Sequence, residues 1–225
     1  MDNLLVEAEK YVVHLLNEKL DKAFIYHNLA HTQLVVEKTK ELAELSNLDD
    51  SETKQLLLSA WFHDTGYTKT VDNHEAESVK IAIGFLKKNQ VSEVDITIIS
   101  HLILATKMGY EPKNILEKII RDADCAHVGS KNFSDITELL RKEWELTCNK
   151  TMTDAEWIQE NINFLAKTHR FYTDAASSNW DAGKAKNLSR LLKSQNKINQ
   201  EGVKLKQKKE ELSFKKNKTE SPERG

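Results

Sequence analysis

Three short stretches concentrate the residue types that chemistry needs. Tyr26-His27-Asn28-Leu29-Ala30-His31 places a histidine at the start of an amphipathic run. Trp61-Phe62-His63-Asp64-Thr65-Gly66 sets an imidazole beside a carboxylate where a helical pattern ends. Arg121-Asp122-Ala123-Asp124 puts acidic groups late in a stripe that otherwise reads apolar. A helical bundle assembles a cation site from donors far apart in sequence, so this dispersal is what such a site requires. Two imidazoles with two carboxylates form a mixed nitrogen and oxygen set, which suits Mn, Fe, Co, Ni or Zn better than Ca. Each residue also has a plainer use. His31 can be a hydrogen-bonded core histidine, Asp64 can satisfy a helix end, and Asp124 can pair with Arg121. Buried carboxylates need compensation, and one shared cation would supply it for several inward-facing groups at once. On the residues alone both readings stay open.

The elements that must position these groups read as helices. Only seven Gly and two Pro punctuate 225 residues, which argues against a many-turned β fold. Hydrophobic residues make up 39% and charged residues 30%, enough core material for a globular domain. Leu5, Ala8, Val12, Leu15 and Leu16 form one stripe, and Leu34, Val35, Lys38, Leu42 and Leu45 a second that begins one turn after His31. Asp49 to Glu52 supply cap chemistry for a helix through LLLSAWFHD, with Gly66 expected as a left-handed residue past its end. His74 opens a helix carrying Val79, Ile83 and Leu86. Ser92 caps the next, in which Val94, Ile98, His101 and Ala105 share a stripe predicted to face inward. Pro112 is expected at the first position of a helix over 112–128, with Leu116, Ile120, Asp124 and His127 on one side and Gly129 at its end. Thr153 and Glu156 form a capping box, and Met152 faces Trp157 as a staple, for a helix reaching about Tyr172. Another helix is expected from near Trp180. Past Lys193 apolar residues thin to Ile198, Val203, Leu205, Leu212 and Phe214, predicting an exposed or partner-seeking helix that frays before Pro222. The expected division is therefore 1–192 for the domain and 193–225 for a basic helical tail or linker. Trp144 and Trp157 read as core packing, and His14 and His169 belong to no constellation.

The ordered set of His31, FHDTGY, NHEAES, ISH and IIRDADCAHVG resembles the HD-domain superfamily of metal-dependent phosphohydrolases, over roughly residues 20–130. The resemblance implies an all-α, HD-type helical bundle whose divalent metal is held by His31, His63, Asp64 and Asp124. Asp124 is preferred to Asp122 because it matches the family's Ala-Asp position and lies on the Leu116/Ile120 stripe. Some members add two histidines and a second metal, and His74 and His101 resemble that pattern loosely. The expectation is one hexacoordinate ion of the Mn or Ni type. Asp64, His74 and His101 are then the catalytic candidates, the histidines through phosphate binding or proton transfer. Glu75 and Glu77 either complement the helix dipole or orient a catalytic group. Tyr26, His27 and Lys69 flank the motifs and are candidates to line the pocket. The implied reaction is attack of metal-activated water on a phosphomonoester or a cyclic phosphodiester of a small nucleotide. The alternative is a nucleotide-sensing module that signals through its C-terminal helix.

Charge and motif content narrow the partners. Residues 182–225 carry 13 Lys and Arg against 5 Asp and Glu, a net +8, and the remaining residues carry −10. An acidic body does not suit nucleic acid, so no sequence-specific nucleic-acid partner is expected. The basic tail suits a solvated face, an acidic partner or an anionic surface. GxSxG and GxxxxGK[ST] are absent, as is any Cys–His pairing, which removes acyl-transfer, covalent phosphoryl and nucleotide-motor chemistry. Cys125 and Cys148 form no framework, and Asp2, Glu7 and Glu9 stand where a signal peptide would be basic, so a cytoplasmic setting is expected. No apolar run approaches the ~20 residues of a membrane span. The close on SPERG reads as a boundary or linker to a fused C-terminal partner segment, and a homo-oligomer is the other expected partner.

Overall fold

The computed structural model describes residues 3–219, and among these there is no strand. The helices are α1 (Asn3–Lys19), α2 (Leu29–Leu45), α3 (Asp50–Phe62), α4 (His74–Lys88), α5 (Glu93–Ala105), α6 (Ile115–Asp124), α7 (Phe133–Cys148), α8 (Asp154–Asn163) and α9 (Asp174–Thr219). The fold is all-α, as expected. No helix among the described residues is long and apolar enough to cross a membrane.

Two compact units divide the chain. The first comprises residues 1–151 and 169–187. Its core is built on α3, whose second half, from Leu56 to Phe62, has buried side chains on nearly every side. A helix apolar all round belongs at the centre of a domain. Ala8, Val12 and Leu16 of α1, Ala82, Phe85 and Leu86 of α4, and Ile96, Ile99 and Ile103 of α5 close around Leu58, Trp61 and Phe62. Full burial of each large side chain contributes about 1.5–3 kcal/mol. α2 packs against α3 and α6. That arrangement leaves the C-terminal ends of α3 and α6 beside the start of α2. The second unit comprises residues 152–168 and 188–225. The expected capping box of Thr153 and Glu156 opens α8 there, and Trp157 is buried.

Several local expectations are corrected. Gly66 is not left-handed; it lies in a 3₁₀ turn over Thr65–Thr68. Its missing side chain matters for another reason, since a Cβ would sit 1.9 Å from the His74 carbonyl oxygen. This close approach presses the His63-Asp64 turn onto the first turn of α4, and Ser78 Oγ accepts from the Gly66 N–H at 2.8 Å. Pro112 precedes its helix, which is capped instead by Asn114 accepting from the Glu117 N–H. The helix from Asp154 stops at Asn163 and continues as a π turn, Phe164–Thr168. The last helix starts at Asp174, before Trp180. Leu45 of the second stripe is exposed, and Thr39 and Ala43 take the inward positions. Trp144 is half-buried beneath Lys150, 4.3 Å from the ring centre. The end expected before Pro222 lies outside the described residues, as do the side chains of Leu205, Leu212 and Phe214.

α5 carries the largest correction. Its inward stripe is Ile96, Ile99 and Ile103, so Val94 is 70% exposed and His101 is exposed too. Ile and Leu recur around much of this helix, so the pattern also admits a stripe through Ile96, Ile99 and Ile103, on nearly the opposite face. The wrong one contained the histidine.

Candidate metal centre

Each candidate ligand is delivered by a helix terminus. Asn28 caps α2 by accepting from the Ala30 N–H at 2.9 Å and the His31 N–H at 3.4 Å, while its own amide donates to the Ile25 carbonyl. A side-chain cap of this kind contributes ~1 kcal/mol. Here it also fixes the angle at which His31, three residues on, enters the interior. His63 closes α3, with Asp64 directly after it. Asp124 is the last residue of α6.

These termini converge. His31 Nε2 stands 3.4 Å from His63 Nε2, 3.4 Å from Asp64 Oδ2 and 3.2 Å from Asp124 Oδ1. His63 Nε2 lies 3.1 Å from Asp64 Oδ2 and 3.7 Å from Asp124 Oδ1. His31, His63 and Asp124 each place one donor atom within 4.8 Å of the others. Three of the four side chains are nearly enclosed, and Asp124 is 24% exposed, so the site opens on its side.

Three observations fit a cation here. His63 Nδ1 donates to the Ala60 carbonyl at 2.8 Å, which leaves the Nε2 lone pair of the neutral ring facing the cluster. Asp64 Oδ2 is fully enclosed and makes no hydrogen bond among the described residues, an orphaned anionic oxygen beside two ring nitrogens. Both carboxylates stand at helix C-termini, where the backbone already presents partial negative charge. An acidic group in such a place is destabilising unless positive charge meets it.

The protonation states follow from the same contacts. Burial opposes the His31 imidazolium, but Asp124 and Asp64 outweigh it and raise its pKa to about 10. Burial likewise opposes ionisation of Asp64, and His63, His31 and His74 overcome it, holding the carboxyl well below its ordinary range. In the metal-free chain at neutral pH, His31 therefore carries a proton that a metal must displace. On the order of one proton should be released per ion bound near pH 7.5, with affinity rising towards higher pH. Calorimetry in buffers of different ionisation enthalpy measures this, and metal uptake without proton release would remove His31 from the ligand set.

Around the cluster, His74 Nε2 lies 3.5 Å from Asp64 Oδ1 and 3.8 Å from Glu75 Oε1, at the rim. Glu75 is buried, whereas Glu77 pairs with Lys80 at 2.6 Å. Exposed His101 is not turned towards the interior, so the premise for giving it a site role fails. Asp122 is occupied elsewhere, accepting from the Tyr172 and Thr173 N–H groups at 2.8 Å each and from the Thr173 hydroxyl at 2.7 Å. Lys69 and His14 are exposed.

Two residues that no sequence pattern singles out stand at this site. Glu143 of α7 is buried and accepts from the N–H groups of Tyr26 at 2.7 Å and His27 at 2.9 Å, and its other oxygen meets His27 Nδ1. Tyr67 is stacked on His74, with ring centres 3.8 Å apart, and on His27 at 4.6 Å. Burial, then the carboxylates of Asp64, Glu143, Asp124 and Glu75, keep its phenol protonated far above the ordinary range. Nothing in local periodicity could have marked Glu143. Tyr67 follows the His-Asp pair closely enough that its proximity, though not its role, was available.

An all-helical bundle that turns imidazoles and carboxylates from three helix termini toward one point has the architecture of a helical metal-binding domain. Residues 20–129 match the family model described as "HD domain", a span that contains all four candidate ligands, and through it the chain belongs to the HD-domain superfamily. That superfamily is one of metal-dependent phosphohydrolases. Among solved structures, a crystal structure of a protein from Lactobacillus plantarum aligns with a TM-score of 0.61 at 17% identity. The alignment covers 90% of this chain and 98% of that one, and at such identity it speaks for the fold alone. None of the curated proteins compared matches the chain.

Proposed function

We propose that the protein hydrolyses a phosphoester of a small nucleotide, a nucleoside monophosphate or a cyclic nucleotide, at a single divalent metal held by His31, His63, Asp64 and Asp124. The observation that carries this reading is the convergence of two imidazole Nε2 atoms with Asp124 Oδ1 and the orphaned Asp64 Oδ2. A bound divalent cation would supply a water of lowered pKa and neutralise phosphate charge. His63 contributes through a ring locked by Ala60, and Asp124 stands on the open side where a substrate would arrive. His74, at the rim, is placed to bind a phosphoryl oxygen or to pass a proton. His27, oriented by Glu143, offers a second imidazole whose Nε2 has no partner among the described residues. All of these residues precede position 193, in keeping with a 1–192 domain that carries the chemistry and a basic tail outside it.

The test is metal analysis of the purified chain, followed by a product-release screen over nucleoside monophosphates and cyclic nucleotides with Mn, Co or Ni. Hydrolysis of at least one substrate, stopped by a chelator and restored by metal, is expected. A metal-loaded chain that cleaves none overturns the reading, and bound but unchanged nucleotide would point to the sensing alternative.

The two secondary histidines should separate cleanly. His74→Ala is expected to keep its metal and lose ~10²–10⁴-fold in turnover, the usual cost of a lost acid or base. His101→Ala, on an exposed face, should stay within about twofold of the parent chain, since surface changes rarely act at a distance. Equal losses in both variants would show that the rim has been assigned to the wrong helix.

A further inference from the structure

We propose that Tyr67 contacts the substrate directly: its ring braces His74 and His27, and its hydroxyl donates a hydrogen bond to a phosphoryl oxygen. This rests on the phosphohydrolase reading for its ligand, though not for its geometry.

The backbone ties Tyr67 to the centre, because its N–H donates to the Asp64 carbonyl at 3.1 Å. The turn that carries it, Thr65–Thr68, cannot drift, since Gly66 is wedged against the His74 backbone. The phenol ring then lies against two imidazoles, tilted 17° from His74 and 30° from His27, whose own ring centres are 6.5 Å apart, with Phe24 at 5.0 Å. His74 is stacked on one face of the ring, which leaves the hydroxyl-bearing edge as the polar contact a ligand can make.

That hydroxyl makes no hydrogen bond with any described residue. It is also absent from the enclosed unpartnered oxygens and nitrogens, so solvent reaches it. A half-buried tyrosine ordinarily finds a partner for its O–H. Tyr26 shows the ordinary case, with its hydroxyl 3.3 Å from His127 Nδ1. Around Tyr67 stand the carboxylates of Asp64, Glu143, Asp124 and Glu75, which would repel a phosphate, together with the imidazoles of His74 and His27. An uncommitted neutral donor among them suits an anionic oxygen that needs a hydrogen bond. A carboxylate in the same place would exclude it.

The test uses the metal-loaded full chain, with inorganic phosphate as the binding probe. Tyr67→Phe keeps the ring against the imidazoles and removes only the hydroxyl. Metal content and thermal midpoint should be unchanged, while phosphate affinity and kcat/KM fall by about tenfold to a hundredfold, as for a lost hydrogen bond to a charged acceptor. Tyr67→Leu removes the brace as well. In the metal-free chain its His74 ring-proton resonances should move by the loss of the aromatic ring current, whereas those of Tyr67→Phe should hold. Phosphate binding and turnover of Tyr67→Phe equal to the parent's would overturn the contact while leaving the hydrolase reading intact. A parent chain that cleaves no phosphoester, yet binds phosphate more tightly than Tyr67→Phe, would overturn the hydrolase reading and support the contact. A parent chain that binds no phosphate overturns the contact.

Discussion

Replacing Asp64 by alanine is expected to abolish metal retention and hydrolysis together. The Asp64 carboxylate reaches both ring nitrogens with one oxygen, His63 Nε2 at 3.1 Å and His31 Nε2 at 3.4 Å, while its other oxygen faces His74. Removing it takes away negative charge from an enclosed place where two imidazoles point inward. The remaining set of two histidines and Asp124 must then hold a dication with less compensation. Turnover should fall by ~10⁴-fold or more, because a metal contributes several kcal/mol of transition-state stabilisation and each 1.4 kcal/mol is a factor of ten. Thermal unfolding gives a readout that needs no substrate. Added metal at about 100 times its dissociation constant stabilises the parent chain by ~2.7 kcal/mol, and Asp64→Ala should show no such shift. An Asp64→Ala chain with full metal content would sink the four-ligand assignment, whatever its activity.

The uneven legibility of this chain has a physical pattern. Features decided within one or two turns could be read directly. Asp49 with Glu52, Ser92 with Asp95 and Thr153 with Glu156 are caps closed by neighbours three residues away, and each forms as its spacing suggests. Residues 20–129 carry the HD motifs, so His31, His63 and Asp124 were marked by their order even though they meet only in three dimensions. Features decided by a second element were hidden. Gly66 looked like a helix cap, but what requires glycine is the carbonyl of His74, contributed by α4. His101 misleads because Ile and Leu recur around much of α5, and a stripe informs only when the other faces are polar. Asp122 and Asp124 are two residues apart in one acidic motif. Only the fold shows that the first anchors the chain at Tyr172 and Thr173 while the second joins the histidines. Tyr67 and Glu143 are of the same kind, since their partners are identified by packing and not by pattern.

Glu143→Ala should be the most damaging substitution outside the proposed ligand set. The side chain is 2% exposed and accepts two backbone N–H groups and one imidazole N–H from the Tyr26-His27 segment, 116 and 117 residues away in sequence. Alanine would leave those donors buried and unpaired, each at a cost of about 1–3 kcal/mol, partly relieved where water can enter. A net loss of about 2–4 kcal/mol is expected, on the order of 10 °C in thermal midpoint for a chain of this length. The consequence reaches the metal centre through the main chain. Tyr26 and His27 immediately precede Asn28, the cap that sets the entry of α2 and hence the position of His31. Metal affinity should therefore weaken although no ligand has been changed, and the His27 ring should lose its fixed tautomer. Glu143→Gln separates the two effects. Its amide oxygen can still accept from both backbone N–H groups, which share one carboxylate oxygen in the parent chain, so stability should be largely recovered. The charge that holds a proton on His27 Nδ1 is gone, so nitrogen NMR of that ring should report a changed tautomer balance. Denaturant unfolding, metal titration and the imidazole spectrum together decide the matter. Glu143→Ala with parental stability and metal affinity would show that the Tyr26-His27 segment is held by its own turn and not by α7.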